Sequence, residues 1–253
     1  MTDVPPALVS KALTDNGYDL ISARRGGWFV AGISGSNASV LIQVVEVGIL
    51  LALPGADTAA RIGLETSGEL PPVGMGSVGL AKGASQIFEA LRVLHSLLRH
   101  PVAVLSYRVE SRLAAIPETE RTREVRQRIG QDVFREALMD FWQGRCAVTG
   151  MVLPRKLLRA SHCKPWAQAN HSERLDPFNG LLLSVHLDAM FDAGLISFSD
   201  EGVLLCSGQL NASVRGHFSI AARQRLRSLS PGHIPYLSWH REHLFEGEGF
   251  SRM

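Results

Sequence analysis

The stretch that decides the fold reads Leu-Leu-Arg-Ala-Ser-His-Cys at residues 157–163 and Asn-Gly-Leu-Leu-Leu-Ser at residues 179–184. The first run predicts a β-strand whose end carries a histidine. The second run predicts another strand over residues 181–185, which begins directly after an Asn-Gly pair. Residues 186–193 predict a short helix that stops at Gly194. The segment therefore predicts a unit of strand, loop, strand and helix.

This order can bring the end of the first strand close to the helix. His162 could then face Asp188, His186 or Asp192. Asp188 and Asp192 are four residues apart and share a helix face, whereas His186 and Asp188 do not. A neutral imidazole beside a hard oxygen ligand suits metal-assisted hydrolysis of a phosphodiester. The imidazole takes a proton from water, and the metal stabilises the charge that develops on the phosphate.

The segment resembles the HNH endonuclease family, because several spaced motifs occur in the family's order. The resemblance covers about residues 126–198 and implies a ββα-metal finger with metal-dependent cleavage of DNA. The tail Ser-Trp-His-Arg-Glu-His, residues 238–243, is also similar to the family's closing segment. The motifs are Cys-Ala-Val-Thr-Gly at residues 146–150, Ala-Ser-His-x-x-Pro-Trp at 160–166, Asn-Gly-Leu-Leu-Leu at 179–183 and Leu-Asp-Ala-Met-Phe-Asp at 187–192.

The resemblance implies roles for single residues. His162 matches the first histidine of the family, the general base that activates water. Asn179 matches the central asparagine, which pins the loop so that the base is oriented. Asp188 stands where many HNH proteins have another histidine, and aspartate is a competent ligand for Mg²⁺ or Mn²⁺, with Ni²⁺ and Co²⁺ as further options. His186 is the neighbouring candidate ligand.

Two departures from the family pattern affect the expected metal site. Ser161 occupies the position before the base histidine, where an aspartate or histidine often binds the metal. A neutral hydroxyl is a poor replacement, so Asp192, or water and phosphate alone, is expected to complete the ligand shell. The chain also lacks the paired Cys-x-x-Cys motifs of zinc knuckles, so no structural zinc is expected.

The positive charge of the chain is concentrated in one segment. Of 253 residues, 45% are hydrophobic and 20% are charged, with a net charge of +2. Residues 121–174 carry eleven Lys and Arg against five Asp and Glu, a net of +6. Clustered cations release counterions from DNA, although a solvated helix face would carry the same charges. The candidate DNA contacts are Arg128, Arg135, Arg155, Lys156, Arg159 and Lys164.

The residues before the finger predict a separate module, so the fold class is expected to be α+β. A helix over residues 7–16, an antiparallel meander of four strands and a helix over residues 85–99 predict a helix, sheet, helix arrangement. Residues 1–105 are expected to form this recognition or regulatory domain. Residues 106–125 are expected to be a linker, and residues 126–253 to form the HNH domain with a C-terminal extension.

Simple counts exclude several classes of protein. The longest apolar stretch, residues 40–54, is interrupted by Gln43, Glu46 and Gly48, so no transmembrane helix is predicted. No basic and hydrophobic signal-peptide pattern opens the sequence. The three cysteines argue against a disulfide framework and for a reducing compartment. We therefore expect a cytoplasmic protein without membrane association.

Three functional interpretations follow. The first is a bacterial restriction or defence endonuclease whose N-terminal domain selects the target, with modified DNA as one option. One finger cuts one strand, so cleavage of both strands implies a homodimer. The alternative is a non-catalytic DNA- or protein-binding protein that retains the HNH scaffold, which Ser161 favours. A secreted nuclease toxin is the third interpretation, and the missing export signal argues against it.

Overall fold

The computed structural model describes residues 5–34, 36, 39–221 and 224–247. The chain divides into two compact units, one that ends at Pro101 and one that begins at Val102. Each unit has its own helices and antiparallel strands, which confirms the predicted α+β class. Within the described ranges, no helix is long and apolar enough to cross a membrane.

The first unit has the predicted order of helix, sheet and helix. In its described residues, six strands form one antiparallel sheet with the order β1-β2-β3-β4-β6-β5, so the first four strands are the expected meander. The elements in chain order are α1 (Ala7–Asp15), β1 (Leu20–Arg25), β2 (Trp28–Gly32), β3 (Ser39–Val45), β4 (Gly48–Leu53), α2 (Thr58–Arg61), β5 (Glu65–Thr66), β6 (Ser77–Ala81) and α3 (Ala84–Arg99).

Local sequence explains the first hairpin and the core of this unit. Gly26 and Gly27 have φ angles of 57° and 90°, the positive values that a two-residue hairpin turn needs. Val40 and Ile42 of β3 are buried and alternate with more exposed neighbours, as a half-buried strand requires. The buried stripe of α3 completes the core with Ile87, Leu91, Leu94 and Leu98.

The second unit contains the predicted strand, loop, strand and helix. Strands β7 and β8 pair antiparallel, with His162 opposite Gly180, and α7 packs on both strands. Helix α5 packs against the same two strands. The elements in chain order are α4 (Val102–Ala114), α5 (Arg123–Phe141), β7 (Leu158–His162), α6 (His171–Leu175), β8 (Gly180–Ser184), α7 (Val185–Asp192), β9 (Ile196–Phe198), β10 (Leu204–Cys206), α8 (Ala212–His217) and α9 (Ile234–His243).

The boundary between the units differs from the linker predicted over residues 106–125. Most of α4 lies in this range, and the helix packs on α5 and α6 within the second unit. Leu105, Val109 and Leu113 are buried at intervals of four residues, so one apolar face attaches α4 to that unit. The charged run that suggested a linker forms only a short 3₁₀ turn, Glu118–Glu120.

Candidate active site

The side chain of Asn179 holds the loop between β7 and β8 closed. Its Oδ1 accepts the backbone N–H of Lys164 at 2.8 Å. Its Nδ2 donates to the backbone carbonyls of Lys164 at 3.1 Å and Glu173 at 2.9 Å. Because Asn179 has no exposed surface, each of these groups would be costly to leave unpaired. The amide therefore ties both ends of the loop together next to His162.

His162 ends β7 with its imidazole turned toward α5. The ring stacks on Phe134, with 3.8 Å between the ring centroids and 15° between the planes. Its Nε2 lies 3.0 Å from the backbone carbonyl of Arg174. A carbonyl oxygen only accepts, so Nε2 carries the proton of the neutral ring and Nδ1 keeps its lone pair. No described residue forms a hydrogen bond with Nδ1, which is therefore the atom able to accept a proton.

The environment of His162 keeps its ring neutral. Burial lowers the pKa of His162 to about 4, and the positive charge of Arg174 acts in the same direction. The hydrogen bond to the Arg174 carbonyl acts in the opposite direction but does not outweigh burial. The imidazole is therefore uncharged at neutral pH, which is the protonation state that a general base needs.

Ser161 and Asp188 meet on the other face of β7. Successive side chains of a strand point to opposite faces, so Ser161 faces α7 where His162 faces α5. The Ser161 hydroxyl donates a hydrogen bond to Oδ1 of Asp188. The residue at the position of a family metal ligand therefore orients the Asp188 carboxylate.

Asp192 lies one helical turn after Asp188 on α7. Partial desolvation and the charge of Asp188 raise the pKa of Asp192 to about 6. Burial, together with the charge of Asp192, raises the pKa of the Cys163 thiol. The two carboxylates thus form an interacting acidic pair in which Asp188 is half-buried and Asp192 is exposed to solvent, and Cys163 is an uncharged neighbour.

The donor atoms of this acidic pair fit a hard divalent cation. Among the residues that the structure describes, no group of three or more His, Cys, Asp or Glu side chains could hold a metal ion. Mg²⁺, however, is commonly bound by one or two carboxylates, while water and substrate phosphate complete its shell. Asp188 and Asp192 supply two carboxylates, and a bound cation would relieve the repulsion between them.

His186, the other predicted metal ligand, has different neighbours. Its ring stacks on Phe218 with 5.6 Å between the centroids, and its Nε2 lies 3.5 Å from Oγ of Ser184. Positions two residues apart on a helix do not face the same way, so His186 and Asp188 point to different sides of α7. These contacts give no support to a role of His186 as a metal ligand, which stays a prediction.

Three of the predicted DNA contacts gather near the acidic pair. Arg135 donates to the backbone carbonyls of Leu158, at 2.8 Å, and Arg155. Burial lowers the pKa of Arg135, as do the charges of Arg155 and Arg159, whereas Asp188 raises it. Arg155 and Arg159 are exposed. The three arginines form a positive cluster beside Asp188, which is suited to backbone phosphates.

The remaining predicted DNA contacts differ in their availability. Arg128 and Lys156 are exposed to solvent. Lys164, in contrast, forms an ion pair with Glu173 at 2.8 Å, and the two side chains are only 21% and 22% exposed. Lys164 therefore stabilises the loop that Asn179 closes.

Helix α9 contributes buried polar contacts to the finger that the sequence did not predict. His240 stacks on Phe191 with 3.7 Å between the centroids, and its ring nitrogens lie 3.0 Å from Oγ of Ser197 and from the Phe191 carbonyl. Arg241 donates to the carbonyl of Phe198 at 2.7 Å. The tail motif resembled the family's closing segment, but periodicity gave no sign that its polar residues are buried.

Comparison with known proteins supports the family resemblance over the finger. Residues 146–199 match the family model described as HNH endonuclease, and this range contains β7, β8 and α7. No curated protein matches the chain. Among solved structures, a modification dependent TagI restriction endonuclease aligns with 22% sequence identity and a TM-score of 0.32 over 45% of this chain. The chain covers 39% of the length of that enzyme.

Proposed function

We propose that the second unit is a metal-dependent HNH endonuclease that hydrolyses phosphodiester bonds of DNA, with His162 as general base. The match of residues 146–199 to HNH endonucleases supports the nuclease class. The hydrogen bond between Nε2 of His162 and the Arg174 carbonyl carries the assignment of the base. It fixes the tautomer in which Nδ1 accepts a proton.

The residues of the site have separate roles in this reaction. Nδ1 of His162 takes a proton from the attacking water as the water oxygen bonds to phosphorus and the ester bond between phosphorus and the leaving oxygen breaks. The leaving oxygen takes its proton from solvent water. Asn179 keeps the loop closed, so the histidine stays in place. Asp188 and Asp192 would hold the divalent cation, with Ser161 orienting Asp188. When bound, the cation supplies stabilisation of the negative charge that develops on the phosphate and the leaving oxygen.

Binding and choice of the target are divided between the two units. The cluster of Arg135, Arg155 and Arg159 binds backbone phosphates, which carry no sequence information. The first unit, which has its own sheet and core, is the proposed recognition domain, and modified DNA is one option for its ligand. Because one finger cuts one strand, we propose a homodimer for cleavage of both strands. The restriction or defence role is part of the same proposal.

A cleavage assay on the full chain tests the reaction. Plain and base-modified duplexes are incubated with Mg²⁺, Mn²⁺, Ni²⁺ or Co²⁺ and the wild type, His162→Ala or His217→Ala. His162→Ala is expected to lose about 100-fold or more of the rate, which is typical of removing a general base. His217 lies exposed on α8, so His217→Ala should cut like the wild type. Equal cutting by His162→Ala would refute the assignment of the base.

A DNA-binding protein without nuclease activity is the second candidate. It is favoured by Ser161, which donates to Asp188 where the family usually has a metal ligand. A wild type that binds DNA but cuts no duplex with any of the four ions would select this function over the nuclease.

A further inference from the structure

Two aromatic rings hold the imidazole of His162 in addition to its hydrogen bond. Phe134 covers one face of the imidazole, with the planes only 15° apart. Trp166 meets the same ring edge-on, with 5.8 Å between the centroids and 84° between the planes. A parallel and a perpendicular neighbour together restrict rotation of the imidazole, since a turn of the ring would lose at least one of the two favourable geometries.

Two glycines leave the space that these rings occupy. A Cβ at Gly180, the strand partner of His162, would lie 2.5 Å from Cζ of Phe134. A Cβ at Gly130, inside α5, would lie 2.2 Å from Cη2 of Trp166. Glycine within a helix is about 1 kcal/mol less favourable than alanine. Its presence at position 130 is therefore explained by the close approach of the tryptophan ring.

Arg174 connects Trp166 with His162 through both its backbone and its side chain. The carbonyl of Arg174 accepts from Nε2 of His162, and its Nε donates to the carbonyl of Trp166 at 2.9 Å. Its guanidinium carbon lies 5.2 Å from the centroid of the Trp166 ring. The three residues form a closed ring of contacts, so a displacement of Trp166 also displaces the partner of Nε2.

We infer that Phe134 and Trp166 are positioning residues of the proposed nuclease, which hold His162 so that Nε2 donates to Arg174 and Nδ1 faces the attacking water. The inference rests on the proposed function, because it concerns the orientation of the proposed base. Phe134 lies on α5, before residues 146–199, the range that matches the HNH family model. The contacts that orient His162 are therefore supplied partly from outside that range.

The side chains packed around the imidazole are mostly uncharged. Phe134 faces it from α5, Trp166 from the loop and Gly180 from β8. The charged neighbour is Arg174 from α6, which together with burial lowers the pKa of His162. Loosening the aromatic contacts admits water to the ring, so the pKa should rise toward its ordinary value.

An NMR titration of the full chain tests this positioning independently of cleavage. The pKa of His162 is followed through its Cε1–H signal, which is assigned with His162→Gln, in the wild type, Phe134→Leu and Gly130→Ala. Both variants are expected to raise this pKa by about one unit. Gly216→Ala is the matched control, because a Cβ on this helical glycine of α8 meets nothing within 4 Å. The pKa of His240, followed in the same spectra, should be the same in both variants as in the wild type.

Kinetics of the same variants separate positioning from binding. Phe134→Leu and Gly130→Ala are expected to lower kcat by about tenfold or more and to leave KM nearly unchanged, because the rings orient the base and phosphate binding is assigned to the arginine cluster. Gly130→Ala removes no core side chain, so it serves as the second variant should Phe134→Leu fail to fold.

The outcomes distinguish the inference from the proposed function. A rise of the His162 pKa together with a loss of kcat supports positioning. A folded variant with unchanged pKa and unchanged kcat overturns it. If the wild type cuts no DNA with any ion, the nuclease proposal fails. A change of the His162 pKa in the variants then shows only a packing contact without a catalytic role, and this result also overturns the inference.

Discussion

Replacing Asn179 with aspartate tests how far the active-site loop depends on one amide group. The carboxylate has nearly the same shape and can still accept the backbone N–H of Lys164. It cannot donate to the carbonyls of Lys164 and Glu173, to which Nδ2 donates in the wild type. In Asn179→Asp, two carbonyl oxygens would therefore face an oxygen at a position that has no exposed surface.

The cost of this change follows from the number of groups left unpaired. A buried acceptor that loses its donor costs about 1 to 3 kcal/mol, so two of them cost about 2 to 6 kcal/mol. Burial beside two carbonyls raises the pKa of the new carboxyl in the folded state. A group whose pKa is raised in the folded state favours folding more as the pH falls. Asn179→Asp should therefore regain stability between pH 7 and pH 5, because the protonated carboxyl can donate one hydrogen bond to a carbonyl.

Urea unfolding, followed by the fluorescence of the four tryptophans, measures this effect at pH 7 and pH 5. The matched control is Asn211→Asp, because Asn211 is an exposed N-cap whose side chain accepts from Val214 N at 3.0 Å. Aspartate caps as well as asparagine, so the control should change stability by less than about 0.5 kcal/mol. If Asn179→Asp matches the wild type at pH 7, the amide donor does not hold the loop and the reasoning is refuted.

Three further predictions concern charge. His162 and His240 have folded pKa values of about 4, below the ordinary value of 6.5. Above about pH 6.5 both rings are neutral in the folded and the unfolded chain, and their contribution to stability is complete. As the pH falls toward 4, the unfolded chain binds protons that the folded chain does not, so this contribution is lost. His162→Gln and His240→Gln should each reduce the loss of stability in that window, and urea unfolding at several pH values checks this. Asp192→Asn should weaken Mg²⁺ binding about tenfold or more in calorimetry, whereas Asp57→Asn in the first unit should not. Arg159→Ala should reduce the salt dependence of DNA affinity by about one unit of slope. Lys164→Ala should leave that slope unchanged because Lys164 is paired with Glu173.

The finger was predictable because its signals are local. Leu181, Leu182 and Leu183 form a short apolar run after an Asn-Gly pair, and they are completely buried in β8. Gly180 follows Asn179 because a Cβ there would collide with Phe134 and Leu138, at 2.5 Å and 2.6 Å. The order of β7, loop, β8 and α7 needed no knowledge of distant residues, so the motif pattern was sufficient.

The parts that were missed depend on contacts that are distant in sequence. Helix α4 carries the buried series Leu105, Val109 and Leu113, but the predicted domain boundary cut this series after its first member. His240 and Arg241 are buried where α9 packs on β9, a contact that sequence spacing cannot reveal. The stacking of Phe134 on His162 likewise joins residues 28 positions apart.

Alternation along β7 explains the one feature of the site that differs most from the sequence-based expectation. The sequence allowed His162 to face Asp188, His186 or Asp192, and the structure shows its neighbour Ser161 in contact with Asp188. A carboxylate close to the imidazole would favour its charged form and raise its pKa, which would remove the lone pair that a general base needs. The strand separates an apolar side, where aromatic rings keep His162 neutral, from a charged side, where Asp188 and Asp192 can attract a cation. This separation lets His162 stay uncharged, as the proposed hydrolysis requires of a general base.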